Sequence, residues 1–272
     1  TSFDLRPMIR HYRIHEVSGY INWIYFFHAW KVRPNTPEAK QLFEEAVSML
    51  ATLDEHYQTH AIFCLMDANS QDNDIWIERT RFPFLRQQTA KEGEPYLCLS
   101  DFIRPSSSGI MDKIGLFATT VDTEMESLYP DDNYCQLLVQ TLADRLAEAT
   151  AECLHEEVRK QIWGYALDEN LSMHQLHNEE FQGIRPAVGY PSLPDQSVNF
   201  LLNDLIDMKQ IGIQLTENGM MQPHASVSGL MFAHPSSHYF SVGKIDEHQL
   251  EDYAIRRGLP IETMKKFLAA NL

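Results

Sequence analysis

The stretch that most constrains the fold reads Glu179-Glu180-Phe181-Gln182-Gly183-Ile184-Arg185-Pro186-Ala187-Val188-Gly189-Tyr190-Pro191. Two prolines and two glycines lie within nine residues of it. Proline fixes φ and removes a backbone donor, so a regular helix or a central strand is excluded here. The stretch is therefore predicted to be a shaped loop, and its only cation is Arg185.

This loop has the chemistry of an anion receptor. A guanidinium on a rigid loop pairs well with a carboxylate or a phosphate, because it can donate two parallel hydrogen bonds. Tyr190, held between a glycine and a proline, is expected to present a flat ring beside Arg185. A purely structural alternative is that Arg185 pairs with Glu179 or Glu180 and that Tyr190 fills the core.

Amphipathic helices are predicted on both sides of the loop. Residues 36–55 start with an N-cap threonine and a proline, and their apolar residues recur at helical spacing. A longer helix is predicted over residues 133–163, ending at Gly164. Two short helices are predicted near the end of the chain, one from Asp246 to Gly258 and one beginning at Pro260.

Short apolar runs between these helices have strand character; they are residues 61–66, 74–78, 96–103, 114–120, 226–233 and 239–245. The last two runs flank Pro235-Ser236-Ser237 and are predicted to form a hairpin. Strands and helices do not alternate one for one, which argues against a doubly wound parallel sheet. The prediction is an α+β fold around a twisted antiparallel or mixed sheet, with no linker that would divide the chain.

Composition excludes several classes of function. The 272 residues include 22 Lys and Arg against 38 Asp and Glu, a net charge of −16. Nucleic acid and anionic membrane surfaces are thus poor partners. No apolar run approaches the roughly 18 residues of a membrane span. The four cysteines form no CxxC pair, which favours a reducing cytoplasm. The chain begins with threonine, so we expect a processed product or part of a longer protein.

Two histidine pairs, His11 with His15 and His56 with His60, are four residues apart and would share a face in a helix. Neither pair has the glutamate of an HExxH motif, so we expect solvated histidines rather than a metal site, and a metal-dependent hydrolase is a minor alternative. The sequence also lacks a dinucleotide fingerprint, a Walker loop and a GxSxG elbow.

The loop sequence from Arg185 to Pro191 resembles the RxxxGYP signature of the activation domain of cobalamin-dependent methionine synthase. Further segments resemble the family in the same order; they are residues 20–23, 26–27, 86–88, 99–102, 115–118, 143–148, 163–166, 215–217, 225–229 and 234–235. The resemblance implies one helmet-like or C-shaped α+β domain over residues 1–272, with residues 1–19 as an N-terminal extension.

The resemblance also implies a function. In this family the cobalamin is occasionally oxidised to the inactive Co(II) state. The activation domain supplies a methyl group from S-adenosylmethionine, and flavodoxin or another reductase supplies an electron. The products are methylcobalamin and S-adenosylhomocysteine. The protein is expected to be a monomeric cytoplasmic component of a methyltransferase. A patch for acidic flavodoxin would need cations, for which the candidates are Arg145, Arg159, Lys160, Arg256, Arg257, Lys265 and Lys266.

Residue by residue, the resemblance implies an S-adenosylmethionine site formed by Asn22, Glu148, Glu179, Arg185, Ala187, Tyr239 and Phe240. Arg185 would bind the carboxylate of the methionine moiety, and the small side chain of Ala187 would let the backbone approach the ligand. Tyr190 would face the corrin as the catalytic residue. Phe240 stands where the family has a second tyrosine, so it keeps the ring without the hydroxyl.

One departure from the family bears on affinity. Asn22 stands where the family has an aspartate that contacts S-adenosylmethionine, and Tyr25 stands where it usually has a proline. A charge-assisted hydrogen bond is worth roughly 1.5–3 kcal/mol, so losing it would reduce affinity on the order of ten- to a hundredfold. Another carboxylate, such as that of Glu179, would offset part of the loss.

The chain lacks the D-x-H-x-x-G motif of a cobalamin-carrying domain; residues 54–56 and 246–248 begin it, but neither has the glycine. It is also too short for the homocysteine and folate barrels. We therefore expect it to act on a cobalamin held by another domain or protein, as a fragment or a separate subunit. Two alternatives remain: a docking or regulatory module that no longer uses S-adenosylmethionine, and a reactivase for another corrinoid methyltransferase.

Overall fold

A curled antiparallel sheet forms the centre of the structure, a computed structural model that describes residues 6–272. Its six strands are β1 (Met8–Arg13), β2 (Gln58–Gln71), β3 (Asp74–Ile77), β4 (Thr80–Pro83), β5 (Asp112–Val121) and β8 (Ser226–Met231). Two further strands, β6 (Gln214–Leu215) and β7 (Met221–Gln222), form a separate two-stranded ribbon before β8. The order is β4-β3-β2-β5-β8, and β1 pairs with the first half of β2. The predicted α+β fold with an antiparallel sheet is confirmed.

Both faces of the sheet are buried. Side chains alternate between the two faces along each strand, and each face packs in its own hydrophobic core. On β2, Phe63 lies in one hydrophobic core and Ile62 in the other. On β5, Phe117 and Leu116 divide in the same way. This explains why the runs predicted as strands are continuously apolar rather than alternating.

Helices pack around the sheet, and the last two along the chain form a third hydrophobic core with Leu85 and Val242. The helices are α1 (Ile14–Val17), α2 (Trp23–Ala29), α3 (Pro37–Asp54), α4 (Asn133–Glu157), α5 (Met173–His177), α6 (Val198–Ile206), α7 (Glu247–Arg257) and α8 (Ile261–Phe267). Thr36, Asp132 and Asp246 cap α3, α4 and α7 by accepting a backbone N–H three residues ahead. One turn of π-helix, Val158–Ile162, extends α4. None of these helices, within residues 6–272, is long and apolar enough to cross a membrane.

Two predicted strands are wrong. Residues 96–103 form a 3₁₀ turn, Leu99–Phe102, in which Asp101 accepts the backbone N–H of Cys98. Residues 239–245 form no strand, so the predicted hairpin is also wrong. Their backbone amides bond elsewhere, that of Val242 to the carbonyl oxygen of Pro191 and that of Ile245 to the carbonyl oxygen of Asn271.

Several elements were not predicted. Residues 1–19 were interpreted as an N-terminal extension, yet Met8–Arg13 forms β1 in the sheet. Strand β4 and helices α2, α5 and α6 were also missed. The histidine pairs do not share helix faces: His11 lies on β1 and His60 on β2, and their Nδ1 atoms are 2.7 Å apart. His60 also contacts Asp122 through Nε2, at 2.7 Å.

Candidate functional site

The arginine-bearing loop lies along the free edge of β8. The N–H of Ile184 donates to the carbonyl of Phe232, and the N–H of Phe232 donates back to Ile184, at 3.0 and 2.9 Å. The N–H of Leu230 donates to Pro186 at 3.1 Å. Gly229 makes this approach possible, since a Cβ there would lie 2.2 Å from the Pro186 oxygen. The loop thus takes the edge on which residues 239–245 were predicted to pair.

All eight predicted site residues line one cleft of about 760 Å³. They come from four separate parts of the chain and are Asn22, Glu148, Glu179, Arg185, Ala187, Tyr190, Tyr239 and Phe240. The cleft lies between the start of α2, one face of α4, the loop on β8 and the irregular segment after β8. Its size falls in the range of small-molecule sites, roughly 300–1,000 Å³.

Arg185 lies at the wall of this cleft with its side chain 12% exposed. Nη2 donates to Oε2 of Glu152 at 2.8 Å, and Nη1 lies 2.9 Å from Nδ1 of His155. The ion-pair partner is therefore Glu152, and the pairing with Glu179 or Glu180 that the structural alternative required is not formed. Burial lowers the pKa of Arg185 and Glu152 raises it; the net shift is upward, so the guanidinium stays charged.

Tyr239 supports the same loop through the backbone of Arg185. Its phenolic oxygen accepts the backbone N–H of Arg185 at 2.8 Å. Burial raises the pKa of Tyr239, and the nearby Arg185 charge opposes the shift, so the hydroxyl stays protonated at neutral pH. Phe240, the next residue, lines the cleft with its ring, which contacts Phe102 at 6.3 Å between centroids.

Tyr190 lies at the mouth of the cleft and is 51% exposed, so it does not fill the core. Its hydroxyl donates to Oε1 of Glu148 at 2.6 Å. Burial and the Glu148 carboxylate raise the pKa of Tyr190 above its ordinary value. Glu148 is thus a hydrogen-bond acceptor that fixes the tyrosine ring at the entrance.

Asn22 has a structural role as well as a place in the cleft. Its Oδ1 accepts the backbone N–H of Ile24 at 3.3 Å and caps α2. The next turn exposes two large apolar side chains, Ile24 at 67% and Tyr25 at 60%. Tyr25 lines the cleft, and the guanidinium of Arg145 lies 5.9 Å from the centre of its ring.

Glu179 turns the chain into the cleft with a left-handed φ of 59°. Burial raises the pKa of its carboxyl group, and Arg185 acts against that shift. The position thus places a carboxylate within electrostatic range of Arg185 without a direct ion pair to it.

Sequence reasoning missed Glu152, which lines the cleft, and His155, which is buried behind it against Arg185. They lie four and seven positions after Glu148, on the same face of α4. That spacing is the signal that could have found them, since a helix that places Glu148 in a cleft also turns these two positions toward it. Phe181, which lines the cleft and contacts the His155 ring edge-on at 4.9 Å, was missed as well.

The chain is similar to a solved structure described as the crystal structure of the MetH reactivation domain bound to AdoHcy. The match has a TM-score of 0.93 and 39% sequence identity, and it covers 98% of this chain and 90% of that one. The fold is thus that of a reactivation domain. A family model, "Vitamin B12 dependent methionine synthase, activation domain", matches residues 13–258. The chain belongs to this family of methionine synthase activation domains.

Proposed function

We propose that the cleft binds S-adenosylmethionine and presents its methyl group for the reductive remethylation of cob(II)alamin in methionine synthase. The observation that carries this proposal is the convergence of eight residues, named from sequence alone, on one cleft of about 760 Å³. The similarity to a domain solved with AdoHcy supports the same ligand class.

The charges of the cleft suit this ligand. S-adenosylmethionine carries a carboxylate, an ammonium group and a sulfonium group. Arg185 offers a guanidinium for the carboxylate, and Glu148, Glu152 and Glu179 supply carboxylates near the two cationic groups. Ala187 lies beside Arg185, where its small side chain leaves room for the ligand next to the backbone.

The protein's contribution to the reaction is positioning. The cobalamin of the partner, with one electron from a reductase, would serve as the methyl acceptor, and the S–CH3 bond of S-adenosylmethionine would break with its electron pair left on sulfur. The residues of this chain need donate no proton. Arg185 and the aromatic wall of Tyr239 and Phe240 hold the ligand, and proximity and orientation lower the barrier.

The mouth of the cleft is the surface we assign to the cobalamin-carrying domain. Tyr25 and Tyr190 line the cleft and are exposed, and Ile24, next to Tyr25 in the chain, is exposed as well; such a surface can pack against a flat macrocycle. Tyr190 is the residue we expect to face the corrin, with Glu148 fixing its ring.

We further propose that the chain works in the cytoplasm as a monomeric fragment or subunit of methionine synthase, with flavodoxin or another reductase as electron donor. Its sequence has four cysteines and no CxxC pair, a pattern that favours a reducing compartment. Three candidate cations for a reductase patch do not serve it, because Arg159, Arg256 and Arg257 have side chains at most 11% exposed and are held in ion pairs.

The test is a calorimetric titration of the chain with S-adenosylmethionine. We expect saturable binding that Arg185→Ala removes and that Arg104→Ala, at an exposed position outside the cleft, leaves intact. A second assay adds a cobalamin-binding domain of methionine synthase and a reductant, and follows methylcobalamin by absorbance. An absence of binding at millimolar ligand would overturn the proposal. It would favour a docking module, and Asn22 and Phe240 would then be departures from the family that accompany the loss of the ligand.

A further inference from the structure

We infer that His155 is a positioning residue: it holds the guanidinium of Arg185 in place so that the cleft selects ligands that carry an α-carboxylate. The inference rests on the proposed binding of S-adenosylmethionine and names a determinant of its specificity. The observation behind it is the 2.9 Å contact between Nδ1 of His155 and Nη1 of Arg185, inside the wall of the cleft.

The direction of this hydrogen bond is fixed by chemistry. Arginine has only donors, so Nδ1 of His155 must accept and carry no proton. The proton of the neutral ring then lies on Nε2, which is 3.5 Å from the hydroxyl oxygen of Tyr165. That hydroxyl donates onward to the carbonyl of Gln182 at 3.3 Å, so the chain of donors and acceptors is consistent from Arg185 to the backbone.

The surroundings keep His155 in this neutral form. Its ring is fully buried, and the Phe181 ring packs against it edge-on. Two guanidinium groups lie close by, those of Arg185 and Arg159, and both oppose a positive charge on the imidazole. Burial, followed by these two charges, lowers the pKa of His155 well below 6.5. At neutral pH the ring is therefore a permanent acceptor for Arg185.

A neighbouring arginine is held by a two-point ion pair, although its Nη1 has no hydrogen-bond partner within residues 6–272. Arg159 donates to both oxygens of Glu169, from Nε and Nη2 at 2.7 Å each, and its side chain is 0% exposed. Such a two-point pair uses one complete edge of the guanidinium.

Arg185 is held differently. Glu152 contacts it at a single point, through Oε2, and the other oxygen, Oε1, has no hydrogen-bond partner within residues 6–272. His155 takes the second contact, on the other terminal nitrogen. Only two of the five guanidinium N–H groups are engaged by these residues, so donors remain for a ligand carboxylate while the group itself is fixed on both sides.

The consequence is that His155 acts on one part of the ligand. Without its acceptor, the guanidinium would lose one of the two contacts that orient it, and a buried N–H would be left unpaired. A ligand with a carboxylate would bind less well. A ligand that lacks the carboxylate would be affected little, because it makes no bond to Arg185.

The experiment measures dissociation constants for S-adenosylmethionine and for decarboxylated S-adenosylmethionine by calorimetry. The proteins are the unaltered chain, His155→Leu, which has no acceptor, and His155→Asn, whose amide oxygen can replace Nδ1. Glu157→Gln, on the same helix but paired with Arg10 away from the cleft, is the control. We expect His155→Leu to weaken S-adenosylmethionine roughly ten- to a hundredfold with little change for the decarboxylated ligand, and His155→Asn to restore most of the difference.

The outcomes separate this inference from the proposed function. If the unaltered chain binds neither ligand, the proposed function fails. If it binds S-adenosylmethionine but His155→Leu weakens both ligands equally, or neither, His155 has no role through Arg185 and the inference is overturned. If His155→Leu does not fold, the His155→Asn protein alone tests the inference. A folded His155→Asn protein that no longer binds S-adenosylmethionine more tightly than the decarboxylated ligand would contradict the inference.

Discussion

The phenolic oxygen of Tyr239 accepts the backbone N–H of Arg185 at 2.8 Å, across 54 residues of sequence. This bond joins the irregular segment after β8 to the loop that lies on the edge of that strand. Residues 239–245, which were predicted to form a strand, therefore support the loop instead. Tyr239 is a structural partner of the arginine as well as a wall of the cleft.

Tyr239→Phe should destabilise the protein and weaken the binding of S-adenosylmethionine. The substitution leaves the Arg185 N–H without an acceptor, which costs about 1–3 kcal/mol for a buried group. Urea denaturation measures the free energy of unfolding, and Tyr96→Phe, at a side chain 55% exposed, is the control. Equal stability of the two variants would mean that the hydroxyl bond contributes nothing.

Asn22→Asp should strengthen the binding of S-adenosylmethionine. Aspartate caps a helix as well as asparagine does, so α2 should be preserved. It adds a negative charge to a cleft that would receive sulfonium and ammonium groups, and a charge-assisted bond there would raise affinity by roughly ten- to a hundredfold. Calorimetry at two salt concentrations checks this, since the gain should shrink at high salt. An unchanged dissociation constant would show that Asn22 does not face the cationic part of the ligand.

Gly229→Ala should displace the arginine-bearing loop from β8. The added Cβ would lie 2.2 Å from the Pro186 oxygen, a contact that requires backbone movement. Overpacking of this kind costs about 1–3 kcal/mol, and ligand affinity should fall with it. Gly19→Ala is the matched control, because nothing lies within 4 Å of a Cβ at that position. Similar melting temperatures for the two variants would contradict the close approach.

Affinity for S-adenosylmethionine should fall as the pH drops through the titration of Glu179. Burial raises the pKa of this carboxyl group above 4.5, so it becomes neutral at a higher pH than an ordinary glutamate. The neutral form no longer attracts a cationic ligand, and affinity is lost below the raised pKa and kept above it. Titrations between about pH 4.5 and 7 should show the decline, and Glu179→Gln should flatten it. A decline of the same size in Glu179→Gln would assign the titration to another group.

Glu169→Gln should be among the most destabilising single substitutions of a charge. It leaves the Arg159 guanidinium, fully buried, without a counter-charge, which costs about 3–5 kcal/mol. Denaturant unfolding gives the value. Glu262→Gln, which removes an exposed partner of Lys265, should leave the midpoint unchanged. If the two variants unfold at the same denaturant concentration, the buried pair is not needed for stability.

The sequence predicted those helices and strands whose local pattern favours the same structure as their packing in the fold. Thr36 and Asp246, where helices were predicted to start, cap α3 and α7, and the strands β2, β3, β5 and β8 coincide with apolar runs. Residues 239–245 have the same apolar character but form no strand. The edge they would need on β8 is taken by residues 184–188, and no local pattern encodes that competition.

The predicted site residues are those that lie in the signature at residues 185–191 or match residues of the family. Arg185 and Tyr190 lie in a loop whose prolines and glycines mark it, so they could be found. Glu152 and His155 lie inside a regular helix, where polar side chains are expected on the exposed face, so nothing local marked them as part of a site. Their role depends on which face of α4 turns inward, and that is decided by packing against the sheet.

The position of the arginine-bearing loop has a consequence for association between copies of the protein. An exposed edge strand offers unpaired N–H and C=O groups to any second strand and is a route to aggregation. Here the amides of Leu230 and Phe232 are already bonded to Pro186 and Ile184. A loop rich in proline and glycine, too irregular to extend the sheet, therefore closes the β8 edge against a second chain.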